Sequence, residues 1–147
     1  MKRILFITFM AICASIATIA QGYSNQELFR NEKLGIYHTV KTGDLVPGGH
    51  YISFNNYTNN NLRVTYKAKV RVVDKTSRTY RDFTYTKTIY AKPKGSFLDF
   101  LYDTNEVMNH IVSISKDPYF ENFCHLMLMD FELINFGVEN KNYETTY

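Results

Sequence analysis

From Leu62 to Asp74 the chain reads LRVTYKAKVRVVD, with Leu62, Val64, Tyr66, Ala68, Val70 and Val72 at the even positions and mostly polar side chains between them. Successive side chains of an extended strand point to opposite faces, so this period of two predicts one long β-strand with an apolar face buried along its whole length. After the turn residues KTSR, the run TYRDFTYTKTIYAK returns with Phe83, Tyr85, Ile89 and Ala91 inward and Thr84, Thr86, Thr88 and Tyr90 outward. Lys87 falls on the inward side of that register. Either the strand bulges beside it, or its apolar stem crosses the core and carries the amine to the rim. Pro93 and Gly95 end the hairpin.

The same reading extends to both sides. HYISF is a strand with Ile52 and Phe54 on one face, NNYTNNN a polar loop, IYHTVKT an edge strand and GDLVPGG a turn-rich connection. SNQELFRNEKLG has the form of a short helix, with Ser24 and Glu27 as a capping box and Gly35 as its stop. FCHLMLMDFELINFGVE is a long C-terminal strand: Met127, Met129, Phe131 and Leu133 line one face, while Leu126 and Leu128 give way to Asp130 and Glu132 on the other. Residues 104–116 admit two readings. A helix capped at Asp103 or Thr104 would carry Val107, Met108, Ile111 and Val112 on one stripe, but the alternation in HIVSIS favours a strand. The tail NKNYETTY is polar and expected to fray.

At the N-terminus, Lys2 and Arg3 precede an apolar run from Ile4 to Ala14 that ends in small residues, the pattern of a secretory signal peptide. Cleavage after Ala20 leaves residues 21–147 as a single domain of an exported protein, periplasmic or secreted, with no transmembrane segment. Only Cys124 then remains, so no intrachain disulfide is available, and packing alone must hold the fold. The wealth of Tyr, Phe, Val, Ile and Thr makes the domain mostly all-β. A strand entering an Asn-rich turn (ISFNNYTNNN), a long alternating strand and a return ending in IYAKPKGSF resemble the immunoglobulin-like β-sandwich domains of small exported bacterial proteins. That resemblance covers the middle third of the chain and implies an antiparallel sandwich used for adhesion, spacing or ligand presentation.

Charge is segregated. The chain's net +3 falls to +1 without Lys2 and Arg3, yet Arg63 to Lys94 holds ten basic against two acidic residues, and Gly95 to Tyr147 nine acidic against two basic. On the long strand, Arg63, Lys67, Lys69 and Arg71 share the odd face and would form a positive rod about 27 Å long. With Tyr80 and Tyr90 they are the candidate binding residues, suited to an anionic glycan or an acidic protein surface. The alternative is that Asp82, Asp130 or Glu132 on neighbouring strands offset them. A subunit of a surface assembly would instead set the acidic C-terminal strand of one copy against the basic strand of the next.

No G-x-S-x-G, phosphate-binding glycine loop or H-E-x-x-H is present, so no catalytic residue, cofactor or metal is assigned. Nucleic acid is not an expected partner, for want of a recognition helix or an RNA-stacking motif. His38, His50, His110 and His125 lie far apart and read as isolated rim residues, and Cys124 as a small buried hydrophobe. Asp99, Asp103, Asn105 and Glu106 form the densest oxygen group. A cap explains them better than calcium does, and a small hydrolase built on Asp99, Asp103 and one histidine is the enzyme alternative. Asn56-Tyr57-Thr58 matches a glycosylation sequon and is read as a turn.

Overall fold

The computed structural model describes residues 23–41, 49–114 and 124–139. Residues 1–22, which include the expected signal peptide, residues 42–48 of the turn-rich connection, residues 115–123 and the tail NKNYETTY lie outside the described residues. In chain order the described elements are β1 (Tyr23–Arg30), β2 (Leu34–Lys41), β3 (Gly49–Asn56), β4 (Leu62–Asp74), β5 (Tyr80–Ala91), β6 (Ser96–Phe100), α1 (Asn105–Ile114) and β7 (Cys124–Val138). They form two antiparallel sheets, β1-β2-β3-β6 and β5-β4-β7.

The period-two pattern of β4 puts it at the centre. Its six even residues are all at most 1% exposed, between Phe83, Ile89 and Ala91 of β5, Leu126 of β7 and the inner face of the other sheet, where Leu34, Ile36, Ile52 and Phe54 are fully buried. Each valine, leucine, isoleucine or phenylalanine among them contributes about 1.5–3 kcal/mol by leaving water. Phe54 meets Tyr66 across the two layers with ring centroids 5.3 Å apart. Helix α1 adds Val107 and Ile111 to the same core.

The mostly β, two-sheet architecture is therefore as the alternation predicts, but the connectivity differs from the immunoglobulin order. There the first two strands share a sheet and the third crosses to the other. Here β1, β2 and β3 form a meander within one sheet.

Three local expectations are corrected. Ser24 to Gly35 form no helix: β1 pairs with β2, and the turn between them is set by Asn31, whose Oδ1 accepts from the amides of Lys33 and Leu34, both at 2.8 Å. A helix of one or two turns is marginal alone, and a full ladder with β2 outcompetes it. Gly35 sits within β2, where a Cβ would run into Tyr57 and Tyr37. The strand begun at Ile36 is not an edge, since β2 lies between β1 and β3. Residues 105–114 are helix rather than strand: Thr104 caps them, its Oγ1 accepting from Val107 N and its carbonyl from Met108 N, and the spacing of Val107 and Ile111 brings both onto the buried face.

β7 has 15 residues where β4 has 13, and the surplus is taken up by two bulges. Leu128 pairs with Val70 and Asp130 with Lys69, leaving Met129 extra; Leu133 pairs with Tyr66 and Asn135 with Thr65, leaving Ile134 extra. Each bulge shifts the alternation by one. That keeps Leu126, Leu128, Phe131, Leu133 and Phe136 opposite inward residues of β4, and it moves Met127 and Met129 off the face on which Phe131 and Leu133 were expected to join them.

Candidate functional site

All six candidate binding residues lie on the outer face of the β5-β4-β7 sheet. Arg63 is exposed opposite Tyr90, and Lys67 is exposed between Thr86 and Glu132. Lys69 stands between Thr84 and Asp130 and reaches Asp82 Oδ2 at 3.3 Å. Arg71 grips Asp82 with two hydrogen bonds, Nε to Oδ1 at 2.7 Å and a terminal nitrogen to Oδ2 at 2.9 Å, and lies 3.9 Å above the Tyr80 ring. The Arg71 hydrogen bonds, with Lys69 behind them, hold the Asp82 carboxyl down at about 2. The basic and acidic segments are thus neighbours within one molecule. Asp82 pairs with part of the stripe, Asp130 and Glu132 stand opposite Lys69 and Lys67 in register, and threonines of β5 face the stripe from the other side, with Thr65 and Thr88 hydrogen-bonded at 3.0 Å.

A second feature lies where the edge strands of the two sheets meet. β1 stacks over β7, with Phe29 and Phe136 edge to face at 5.9 Å. Beside that contact a crevice of about 320 Å³ opens between them, lined by Gln26, Glu27, Leu28, Leu128, Met129, Asp130 and Phe131. Both strands are bulged there, β1 at Leu28 and β7 at Met129.

The inward Lys87 keeps its register opposite Tyr66 without a bulge, and its amine ends on carboxylates. Nζ is 2.5 Å from Asp99 Oδ1, 2.9 Å from Asp103 Oδ2 and 3.3 Å from the Asp103 carbonyl. Asp99 belongs to β6, a strand the turn residues of IYAKPKGSF conceal, and its side chain is 1% exposed. Its Oδ2 accepts from the Tyr66 hydroxyl. Burial, and next the Asp99 charge, push the Tyr66 and Tyr85 phenols well above their ordinary range. Burial of the Lys87 amine opposes its charge, but the two carboxylates outweigh it and lift the lysine. Asp99 and Asp103 thus meet a lysine and two tyrosines; the cap is Thr104.

The histidines are corrected too. His38 of β2, His50 of β3 and His125 of β7 are not isolated: the His50 ring lies 5.7 Å from His38 and 5.6 Å from His125. Among the described residues, His38 Nε2 and His50 Nδ1 are buried and meet no hydrogen-bond partner. Burial, with His38 and His125 adding, depresses His50 to about 4. Among the described residues no three His, Cys, Asp or Glu side chains are grouped to hold a metal ion. His110 stands apart, against Phe83 at 5.3 Å. Cys124 is buried, and burial raises its thiol. No described helix is long and apolar enough to cross a membrane. No protein-family model, curated protein or solved structure matches the chain.

Proposed function

We propose that this is an exported, non-enzymatic binding module, and that it takes an extended segment of another envelope protein into the crevice between β1 and β7. The observation that carries this reading is the coincidence of two sheet edges that no other described strand covers, two bulges and one crevice with a mainly polar lining at the same place. A bulge bends an edge away from indiscriminate pairing and re-aims its side chains, here Leu28 and Met129. Leu128 and Phe131 join them in the smaller apolar part of the lining, and in the larger polar part Glu27 and Asp130 favour lysine or arginine on the guest strand. An anionic glycan along β4 is the weaker reading, because Asp82 already engages Lys69 and Arg71. A glycan would be left mainly with Arg63 and Lys67.

Fluorescence polarisation with a labelled extended peptide alternating Lys with Leu or Val provides the test. Saturable binding is expected, lost in Leu28→Glu and in the paired reversal Glu27→Lys with Asp130→Lys, and retained in Lys67→Glu. Equal binding of a Glu-Leu peptide, or loss in Lys67→Glu alone, would move the site away from the crevice.

A further inference from the structure

We infer that Lys87 and Asp99 are the two halves of an autocatalytic amide cross-link that joins the two sheets. β5 and β6 lie in different sheets, so a bond between these side chains spans the sandwich covalently. Lys87 breaks an inward row otherwise made of Phe83, Tyr85, Ile89 and Ala91, and its amine lies 2.5 Å from the buried Asp99 carboxyl. An ion pair there is a modest device for stability, because burying the Asp99 charge offsets part of the attraction. A pair held in contact is, however, a favourable arrangement for condensation, since fixed geometry replaces the entropy that two free reactants must lose.

The remaining groups occupy the positions such a reaction needs. A proton must first pass from the Lys87 ammonium to Asp99 Oδ1, against the pull of the two carboxylates that holds the amine charged at rest, giving a neutral amine and a neutral carboxylic acid. The Nζ lone pair then adds to Asp99 Cγ, and negative charge develops on Oδ2, where the Tyr66 hydroxyl already donates. Asp103 Oδ2, 2.9 Å from Nζ, accepts a proton from the nitrogen and returns it to the hydroxyl on Oδ1. The C–Oδ1 bond breaks, water leaves and the Nζ–Cγ amide remains. One ammonium and one carboxylate become one amide and one water; Asp103 and Tyr66 end unchanged, and no oxidant, metal or nucleotide is consumed. Asp103, 70% exposed at its side chain, gives the departing water a way out.

Intact-mass spectrometry of the folded protein, run under denaturing conditions, decides the matter. The expected mass is one water below that of the sequence, and a protease digest is expected to contain the Lys87 peptide joined to the Asp99 peptide. Lys87→Ala and Asp99→Ala should each show their full calculated mass. Asp103→Asn should fold, as judged by circular dichroism, yet stay largely unlinked. Full mass in the wild type would overturn the inference and leave an ordinary ion pair, and so would a water loss that the digest traces elsewhere.

Discussion

Asn56 is 2% exposed, and its side chain is engaged at both ends. Its Nδ2 donates to the carbonyls of Asn60 at 2.8 Å and of Ala91 and Lys92 at 3.0 Å, while Oδ1 accepts from the Thr58 amide and hydroxyl at 2.9 and 2.8 Å. One amide therefore ties the end of β3 to the end of β5 in the opposite sheet. Glycosylation would have to take place on that same Nδ2, so the folded domain withholds its sequon from a transferase. Replacing Asn56 with Ala leaves buried carbonyls without a donor and should cost about 2–3 kcal/mol in urea denaturation. Asn56→Asp, which aims a carboxylate at three carbonyl oxygens, should cost more. Stability within about 0.5 kcal/mol of wild type for both, the range of an inconsequential surface change, would show the amide to be dispensable. The sequence marks Asn56 as a turn former, but nothing local reveals a bond to a residue 35 positions away.

β4 and β7 mark the limit of pattern reading at the scale of elements. Strict alternation made β4 legible to the residue, with all six predicted inward side chains buried. β7 was legible as a strand but not in its facing, because a bulge leaves the local sequence apolar while changing which residues point inward. The odd face of β4 was likewise visible as a stripe, whereas its neutralisation needed the pairing with β5 and β7. That neutralisation has a direct consequence. Because the carboxyl of Asp82 sits near 2, it stays charged from neutral pH down to strong acid, and its hold on Arg71 and Lys69 is lost only as the pH approaches that value. Asp82→Asn should therefore move elution from a heparin column to higher salt throughout the range pH 5–8, with no change of fold. Co-elution with the wild type would mean that the stripe's charge is offset by β7 alone. Met129 offers a second prediction: deleting it removes one bulge yet leaves Leu128 on Val70 and Asp130 on Lys69, so the domain should still fold. Its straightened edge should associate with rising concentration in analytical ultracentrifugation, as an unguarded strand does; a strictly monomeric deletion would show the bulge to be irrelevant to edge protection.

At the scale of the whole molecule, the row of histidines is the feature that local reading was least able to anticipate, since His50 and His125 come from strands in different sheets. Spacing along the chain says nothing about which strand ends converge, and convergence is what changes their chemistry. Among the described residues, the titratable groups acting on His50 are His38 from β2 and His125 from β7, and each, once charged, resists a second proton beside it. Above about pH 6.5 the imidazole is neutral in both folded and unfolded chains and contributes no pH dependence. Between there and about pH 4, the unfolded chain takes up a proton that the native state refuses, so stability falls as the pH falls, and the loss is complete near the folded value of about 4. Because solvent still reaches part of the ring, the loss at His50 should be about 1–2 kcal/mol, below what full burial would give. His50→Leu keeps the packing volume between the sheets and removes the proton. Urea denaturation at pH 7.5, 6.0 and 4.5 should then show the wild type losing stability faster than the variant, with the two curves diverging only below about pH 6.5. Carboxylates elsewhere titrate equally in both proteins and cancel in the difference. Parallel curves over that range would mean that His50 finds a partner for its proton in the native state, and that the two sheets do not come under strain there in acid.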